Sequence, residues 1–274
     1  MKRFAIHAHV YYPELWDELE GCVRNFPPGE YDLFVTTPHG DAAIGKRVLT
    51  AFPECDYRVL ENRGYDVGPF IDFVNRLNLS DYEYLVKLHT KRDFNGIENY
   101  IRFSGAKWRE WLLAFCKTKE NLSATLRRFR DPTVGMVGHP SLKIATGDFF
   151  ESKKVIENAA QWVAKLGLRP KRRCFVGGTM FIVKAELFRC LQGKISIEDF
   201  AEIKSHEAGT LAHVFERVLG YVVYAQGYRI SGYCFRFNFL ALFAPIIVPT
   251  YRILAFVRNQ MPDRRRQRRR MTIN

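Results

Sequence analysis

The sequence lacks the short signatures of the commonest enzyme classes: it has no Gly-x-x-x-x-Gly-Lys-Ser/Thr loop, no Gly-x-Gly-x-x-Gly, no Gly-x-Ser-x-Gly and no His-Glu-x-x-His. ATPase, dinucleotide oxidoreductase, serine hydrolase and zinc-peptidase chemistry therefore have no sequence support. There is also no Asp-x-Asp, and Asp93 alone makes a poor magnesium site. The six cysteines (Cys22, Cys55, Cys116, Cys174, Cys190 and Cys234) contain no Cys-x-x-Cys. That excludes a zinc knuckle or a compact disulfide framework and fits reduced thiols in a cytosol. The opening Met1-Lys2-Arg3, followed by Phe4 to His9, is too short and too polar for a signal peptide, so a cytoplasmic location is expected.

What is present is an ordinary globular composition, 47% hydrophobic and 26% charged over 274 residues, enough to bury a sizeable core. The formal charge is +13; six arginines and one aspartate between Asp263 and Asn274 account for five of these charges and leave +8 on the rest. A basic body suits anionic partners such as nucleic acid, anionic lipid or sugar-linked diphosphates. No helix-turn-helix, RNA-recognition or zinc pattern accompanies the charge, so nucleic acid is not expected.

β-rich runs at residues 4–12, 32–36, 57–60 and 82–88 alternate with helical patterns. Pro13 with Glu14, Asp17 and Glu18 marks a first helical turn, residues 42–52 form a second helix, and after Gly68-Pro69 the residues Phe70, Phe73, Val74 and Leu77 share one helix face. Beyond a polar loop at 91–99, a long helix is predicted over 107–128, a strand over 133–137, a helix over 152–166, a strand over 174–183 leading into a helix over 185–191, and a helix over 207–217. Repeated βα units predict an α/β domain over residues 1–235 with a mostly parallel sheet flanked by helices.

The remaining residues, 236–274, differ in composition. Phe237, Phe239, Leu240, Leu242, Phe243, Ile246, Ile247 and Val248 stand among few charges, but Pro245, Pro249 and Arg252 interrupt a run that would need about 20 apolar residues to span a bilayer. An interfacial or re-entrant membrane-associating tail backed by the arginines is one reading, and a hydrophobic helix pair closing the core is the other.

Two segments concentrate chemistry at the carboxyl edge of the predicted sheet, where open α/β sheets bind ligands. Residues 61–69 (Glu-Asn-Arg-Gly-Tyr-Asp-Val-Gly-Pro) lead from a strand into a helix N-terminus that favours a phosphate, with Asp66 able to accept hydrogen bonds. They also read as a tight turn with an N-terminal helix carboxylate. Residues 84–92 place Lys87, His89, Lys91 and Arg92 at the end of the next strand, suited to a departing diphosphate or, singly, to a solvated basic loop. On the predicted helix 207–217, His213 and Glu216 lie at i and i+3 on a polar face. Glu207, His213 and Glu216 are candidates for a general base and equally for helix-surface salt bridges.

Asn62-Arg63-Gly64-Tyr65-Asp66-Val67-Gly68-Pro69-Phe70, then Lys87-Leu88-His89-Thr90-Lys91, then Gly177-Gly178-Thr179-Met180-Phe181, then the segment from Gly209 to Arg217 together resemble the rhamnan-synthesis F family over roughly residues 55–225. The resemblance implies a GT-A-like, Rossmann-type glycosyltransferase acting in bacterial cell-wall polysaccharide or lipopolysaccharide assembly. It implies a nucleotide-sugar donor, such as dTDP-rhamnose, held by Asn62, Gly64, Asp66, Lys87, His89 and Lys91. An acceptor-side wall would include Gly178 and Thr179, and inverting transfer would draw its base from Glu207, His213 and Glu216. Lys87 and His89 stand where GT-A enzymes often carry metal-binding acids. That departure implies either metal-independent transfer or magnesium or manganese held through His89 and the donor diphosphate. The implied acceptor is a lipid-linked saccharide, with other glycosyltransferases and the anionic inner leaflet as partners, at the cytoplasmic face of the inner membrane. A transferase scaffold that binds or assembles without catalysis is the competing reading.

Overall fold

The computed structural model describes residues 2–40, 42–92, 97–98, 101–102, 105–145, 153–170, 172–203 and 209–234. The chain divides into two units, Met1–Phe235 and Arg236–Asn274, and every described residue belongs to the first. Glu207, the apolar stretch 235–257 and the arginine run 264–270 lie outside the described residues. Among the described residues no helix is long and apolar enough to cross a membrane.

The N-terminal part is a βα series: β1 (Lys2–His9), α1 (Trp16–Val23), β2 (Tyr31–Thr37), α2 (Ala42–Ala51), β3 (Asp56–Val59), α3 (Val67–Arg76) and β4 (Tyr82–His89). Next come the two-residue strands β5 (Ile97–Glu98) and β6 (Ile101–Arg102), helices α4 (Gly105–Leu113) and α5 (Lys119–Arg128), and strands β7 (Val134–Gly138) and β8 (Lys143–Ala145). The described part closes with α6 (Lys153–Lys165), β9 (Cys174–Val176), β10 (Phe181–Lys184), α7 (Leu211–Ala225) and β11 (Arg229–Gly232).

Seven strands form one sheet in the order β11-β7-β10-β4-β1-β2-β3. All neighbours are parallel except β10, which runs antiparallel to both β4 and β7. Parallel strands covered on both faces read as nearly continuous apolar runs. Phe4, Ala5, Ile6 and Ala8 of β1 and Leu85, Val86 and Leu88 of β4 are fully buried at the sheet centre. The α3 stripe packs as its periodicity requires over Phe70, Phe73 and Val74, which are fully buried, with Phe70 meeting Phe181 and Phe188 edge-on at 6.0 Å each, whereas Leu77 lies just past the helix end and is partly buried. Burying one such ring contributes about 1.5–3 kcal/mol. From β1 the chain builds β2 and β3 to one side and then returns to lay β4 on the other. The topological switch point therefore falls between the carboxyl ends of β1 and β4.

Several predicted elements differ in the structure. The long helix over 107–128 is two helices, because side chains capture the carbonyls freed at the break. Asn25 and Asn121 donate to the Cys116 and Ala114 carbonyls at 2.9 and 2.7 Å, Thr125 donates to that of Phe115 at 2.7 Å, and Thr118 caps α5 by accepting from the Asn121 amide. The strand over 174–183 is broken at Gly178 and Thr179, whose φ angles are +74° and +50°. This left-handed turn sends β9 to pair with β8 and β10 into the main sheet. The described part of the last helix runs from Leu211 to Ala225, well past the expected end at 217; Val214, Phe215 and Val218 face inward, and Leu211 is partly buried.

Candidate active site

β1 and β4 are in register so that His7 pairs with Lys87 and His9 with His89, which puts these four side chains on one face of the sheet. α3 covers that face: the His7 ring lies 5.0 Å from that of Phe73, and the Lys87 ammonium lies 5.5 Å from the centre of the Phe70 ring. Four polar side chains thus sit in the least hydrated part of the molecule, each at most 2% exposed. Buried polar groups persist where partners or a ligand satisfy them.

Asp66 and Lys87 form the central pair. Asp66 stands at the N-cap position of α3, and its Oδ2 accepts from the Lys87 ammonium and, at 2.6 Å, from the Thr179 hydroxyl. Lys87 also donates to Thr179 Oγ1 at 2.9 Å. The left-handed turn at Gly178 and Thr179 is what brings this hydroxyl over the end of β4. His89 Nδ1 lies 3.5 Å from the same carboxylate oxygen, too long for a strong hydrogen bond.

Burial opposes ionisation of Asp66, but the neighbouring His89, Lys87 and Lys91 overcome it and hold its carboxyl well below the usual range. Burial likewise lowers Lys87, opposed by Asp66, and pushes His89 well below its ordinary value. With His89 neutral, the charge that keeps Asp66 ionised is that of Lys87 and Lys91. A free aspartate titrates near 4. The stability this pair supplies is therefore complete above about pH 5 and is lost as the pH falls through the lower, folded value. Urea unfolding between pH 6 and pH 3 should show an acid loss in the wild type that Asp66→Asn does not share. Parallel slopes would contradict the assignment.

Above this pair opens a cleft of about 440 Å³, a volume ordinary for a small-ligand site. Asp66, His89 and Lys91 line it, as do Gly178, Thr179, His213 and Glu216. Of the expected donor-site residues, Lys87, Asn62 and Gly64 do not line it. Lys87 is fully buried, its ammonium committed to Asp66 and Thr179. Asn62 is tied to the segment after Phe200: its side chain donates to the Ile203 carbonyl at 3.2 Å and its own carbonyl accepts from the Ile203 amide at 2.8 Å. Gly64 turns the chain against the Phe200 ring. These two residues shape the loop that presents Asp66.

Gly68 sets how tightly that loop joins α3, because a β-carbon there would stand 2.1 Å from the Arg63 carbonyl oxygen. Gly68→Ala is expected to destabilise the protein by about 1–3 kcal/mol through forced backbone displacement. Helix propensity alone would favour alanine by about 1 kcal/mol. An unchanged or raised urea midpoint would show that the loop can give way.

On α7, Glu216 accepts from the Gly178 amide at 3.0 Å and from Arg217 at 2.5 Å, so both carboxylate oxygens are engaged. Arg217 is itself stacked 4.4 Å over the Phe175 ring. His213 is hydrogen-bonded to Thr210 Oγ1 at 2.9 Å, and its ring is 5.9 Å from that of Tyr65. Among the described residues, no group of three or more His, Cys, Asp or Glu side chains is placed to hold a metal ion.

The structure also brings in His9, Tyr11 and Tyr12, and sets the expected Arg92 beside them. The Thr90 hydroxyl accepts from the Tyr11 and Tyr12 amides at 2.9 Å each, pinning the end of β1 to the end of β4, and Arg92 stacks 4.4 Å over the Tyr12 ring. The strand predicted over 4–12 stops at His9, which frees both tyrosines to line the cleft. A sequence signal for His9 exists: two histidines at i and i+2 near the carboxyl end of an otherwise apolar strand.

A mostly parallel α/β sheet, covered by helices and opening a polar cleft at its central switch point, defines the class of protein. Residues 1–228 match the model of RgpF, rhamnan synthesis protein F, and the chain belongs to that family. The protein WxcX of Xanthomonas campestris pv. campestris strain B100 is 27% identical over 225 residues, which cover 81% of this chain and 32% of WxcX. The chain thus spans about a third of the length of the curated relative it matches. Among solved structures, residues 1–349 of S. aureus TarS superpose with a TM-score of 0.44 at 14% identity, covering 84% of this chain and 57% of that one. The mannosyltransferase PcManGT from Pyrobaculum calidifontis, solved in complex with GDP-Man and Mn2+, gives a TM-score of 0.39 at 13% identity, covering 84% and 54%.

Proposed function

We propose that the chain is a glycosyltransferase that moves a sugar from a nucleoside diphosphate donor during bacterial surface polysaccharide or lipopolysaccharide synthesis. Membership of the rhamnan synthesis protein F family supports this reading. The observation that carries it is the cleft at the β1/β4 switch point, with Asp66 on its floor, Tyr11 lining it as a surface for a base, Lys91 as a cation for a diphosphate, and Arg92, stacked on Tyr12 and 3.4 Å from Glu14, able to turn to the same diphosphate. The donor is an activated deoxyhexose such as dTDP-rhamnose, and the acceptor a lipid-linked saccharide. The basic, apolar C-terminal segment holds the enzyme at the cytoplasmic face of the inner membrane.

Transfer is inverting in this reading, with His213 taking the proton of the acceptor hydroxyl as the new bond forms. Glu216 is the weaker candidate because Arg217 and the Gly178 amide already occupy it. The described residues do not fit a resident magnesium or manganese ion. Asp66 Oδ2 is committed to Lys87 and Thr179, and among the described residues no third His, Cys, Asp or Glu side chain joins Asp66 and His89 to hold an ion. Neutralisation of the leaving diphosphate falls to Lys91 and Arg92.

A thermal-shift panel of dTDP-, UDP- and GDP-sugars, each with EDTA or with added magnesium or manganese, tests the donor site without an acceptor. Saturation to a hundred times Kd stabilises a protein by about 2.7 kcal/mol, roughly 5–10 °C for a domain of this size. One nucleotide class is expected to give such a shift and to keep it in EDTA. Transfer that survives alanine at both Asp66 and His89 would overturn the assignment. The engagement of both Glu216 oxygens favours a second reading, a non-catalytic scaffold that binds glycan or partner enzymes. It would show as no shift with any donor, no transfer, and an isolable complex with a partner transferase.

A further inference from the structure

The proposed mechanism gives no task to a run of buried polar groups on β1 and β2. Thr36 Oγ1 lies 2.9 Å from His7 Nε2 and 2.9 Å from His9 Nδ1, while His7 Nδ1 and His9 Nε2 are buried with no hydrogen-bond partner. A hydroxyl has one hydrogen, so Thr36 can donate to only one imidazole and must accept from the other. His7 Nδ1 decides which. Bare, it is an unused acceptor among the rings of Phe70 and Phe73. Protonated, it would be an orphaned buried N–H, the rarer kind of unsatisfied group. Either arrangement leaves one buried N–H without a protein partner, and only at His9, which lines the cleft, can a ligand satisfy it; the His7 hydrogen therefore sits on Nε2 and goes to Thr36, Thr36 donates to His9 Nδ1, and His9 carries its own hydrogen on Nε2. Since His9 lines the cleft, that N–H is a donor waiting for a ligand oxygen.

We propose that His9 is a ligand-contact residue whose Nε2–H donates to a phosphoryl oxygen of a bound nucleoside diphosphate, held in that tautomer by Thr36 and His7. This rests on the reading of the cleft as a donor site. The charges around it favour a phosphoryl group: Asp66 is matched by Lys87 and Glu216 by Arg217, which leaves Lys91 of the same cleft to an anion, with Arg92 beside it shared with Glu14 at 3.4 Å. Burial keeps the His9 imidazole neutral, down at about 4, with Asp66 acting against the drop and Lys87 and His39 adding to it. The contact therefore needs no proton uptake near neutral pH.

Isothermal titration of UDP, dTDP, GDP and inorganic pyrophosphate into wild type, His9→Ala, His9→Gln and Thr36→Val tests it. His9→Ala is expected to weaken the diphosphate that binds, and pyrophosphate, by about 10–100-fold, the range for one charge-assisted hydrogen bond. Glutamine, whose amide nitrogen falls near the Nε2 position, should restore most of the loss. Thr36→Val, which leaves the His9 ring in place, should weaken binding several-fold and shift the His9 ¹⁵N resonances away from the Nε2–H tautomer. Diphosphate affinity unchanged in both His9→Ala and Thr36→Val overturns the contact and leaves the donor site standing. Pyrophosphate bound through His9 without any nucleotide keeps the contact and overturns the donor site. A wild type that binds neither overturns both.

Discussion

Replacing Lys87 by methionine is expected to cost about 3–5 kcal/mol of unfolding free energy, the scale for breaking one side of a buried ion pair. Lys87 is fully buried and its ammonium bonds Asp66 and Thr179. Removing it strands a carboxylate at a position only 17% exposed, with Lys91 the lysine left to act on it. The cost comes from the stranded charge, not from lost packing, since methionine nearly conserves volume. A Lys87→Met, Asp66→Leu double variant should accordingly recover much of the stability while binding no donor. Urea unfolding of the four members of this cycle measures the coupling directly. A single-variant loss below about 1 kcal/mol would mean that water reaches the carboxylate and that the pair contributes little.

Transfer by a His213→Gln variant should fall on the order of 10²–10⁴-fold, the usual range for removing a general base, while donor affinity stays within a few-fold of wild type. Both effects follow from position: His213 lines the cleft on α7, whereas the residues proposed to contact the donor lie at the ends of β1 and β4 and the start of α3. Glu216→Gln provides the comparison. Its carboxylate orders the Gly178 amide and Arg217, so its loss should lower stability and blur acceptor binding with a smaller effect on turnover. Should Glu216→Gln abolish turnover while His213→Gln stays within tenfold of wild type, the two assignments must be exchanged.

The parts of the site legible in the sequence are those written as local pattern. The α3 stripe of Phe70, Phe73 and Val74 shows as 3.6-residue periodicity, and its place after a strand puts Asp66 at the carboxyl edge of the sheet. Lys87 and His89 stand out for the same reason, as polar residues closing an apolar strand. Their roles were not legible. Lys87 reads as a cation for a diphosphate, but register with β1 and coverage by α3 bury it beneath Asp66. Asn62 and Gly64 read as donor contacts, but Phe200 and Ile203, more than 130 residues away in the chain, occupy them.

By itself the sequence determined the βα alternation, the parallel core and the segments that bear chemistry, because periodicity, capping and turn residues act within a few positions of each other. Only the tertiary structure decided which polar groups are spent on one another and which remain for a ligand. That division depends on strand register and on contacts between distant segments. Register sets His9 beside both Thr36 and His89, and the turn at Gly178 and Thr179 delivers a hydroxyl to Asp66 across 113 residues. Desolvation, which keeps the histidines neutral, and the approach of Lys87 and Lys91, which holds Asp66 ionised against its own burial, exist only once the sheet is covered.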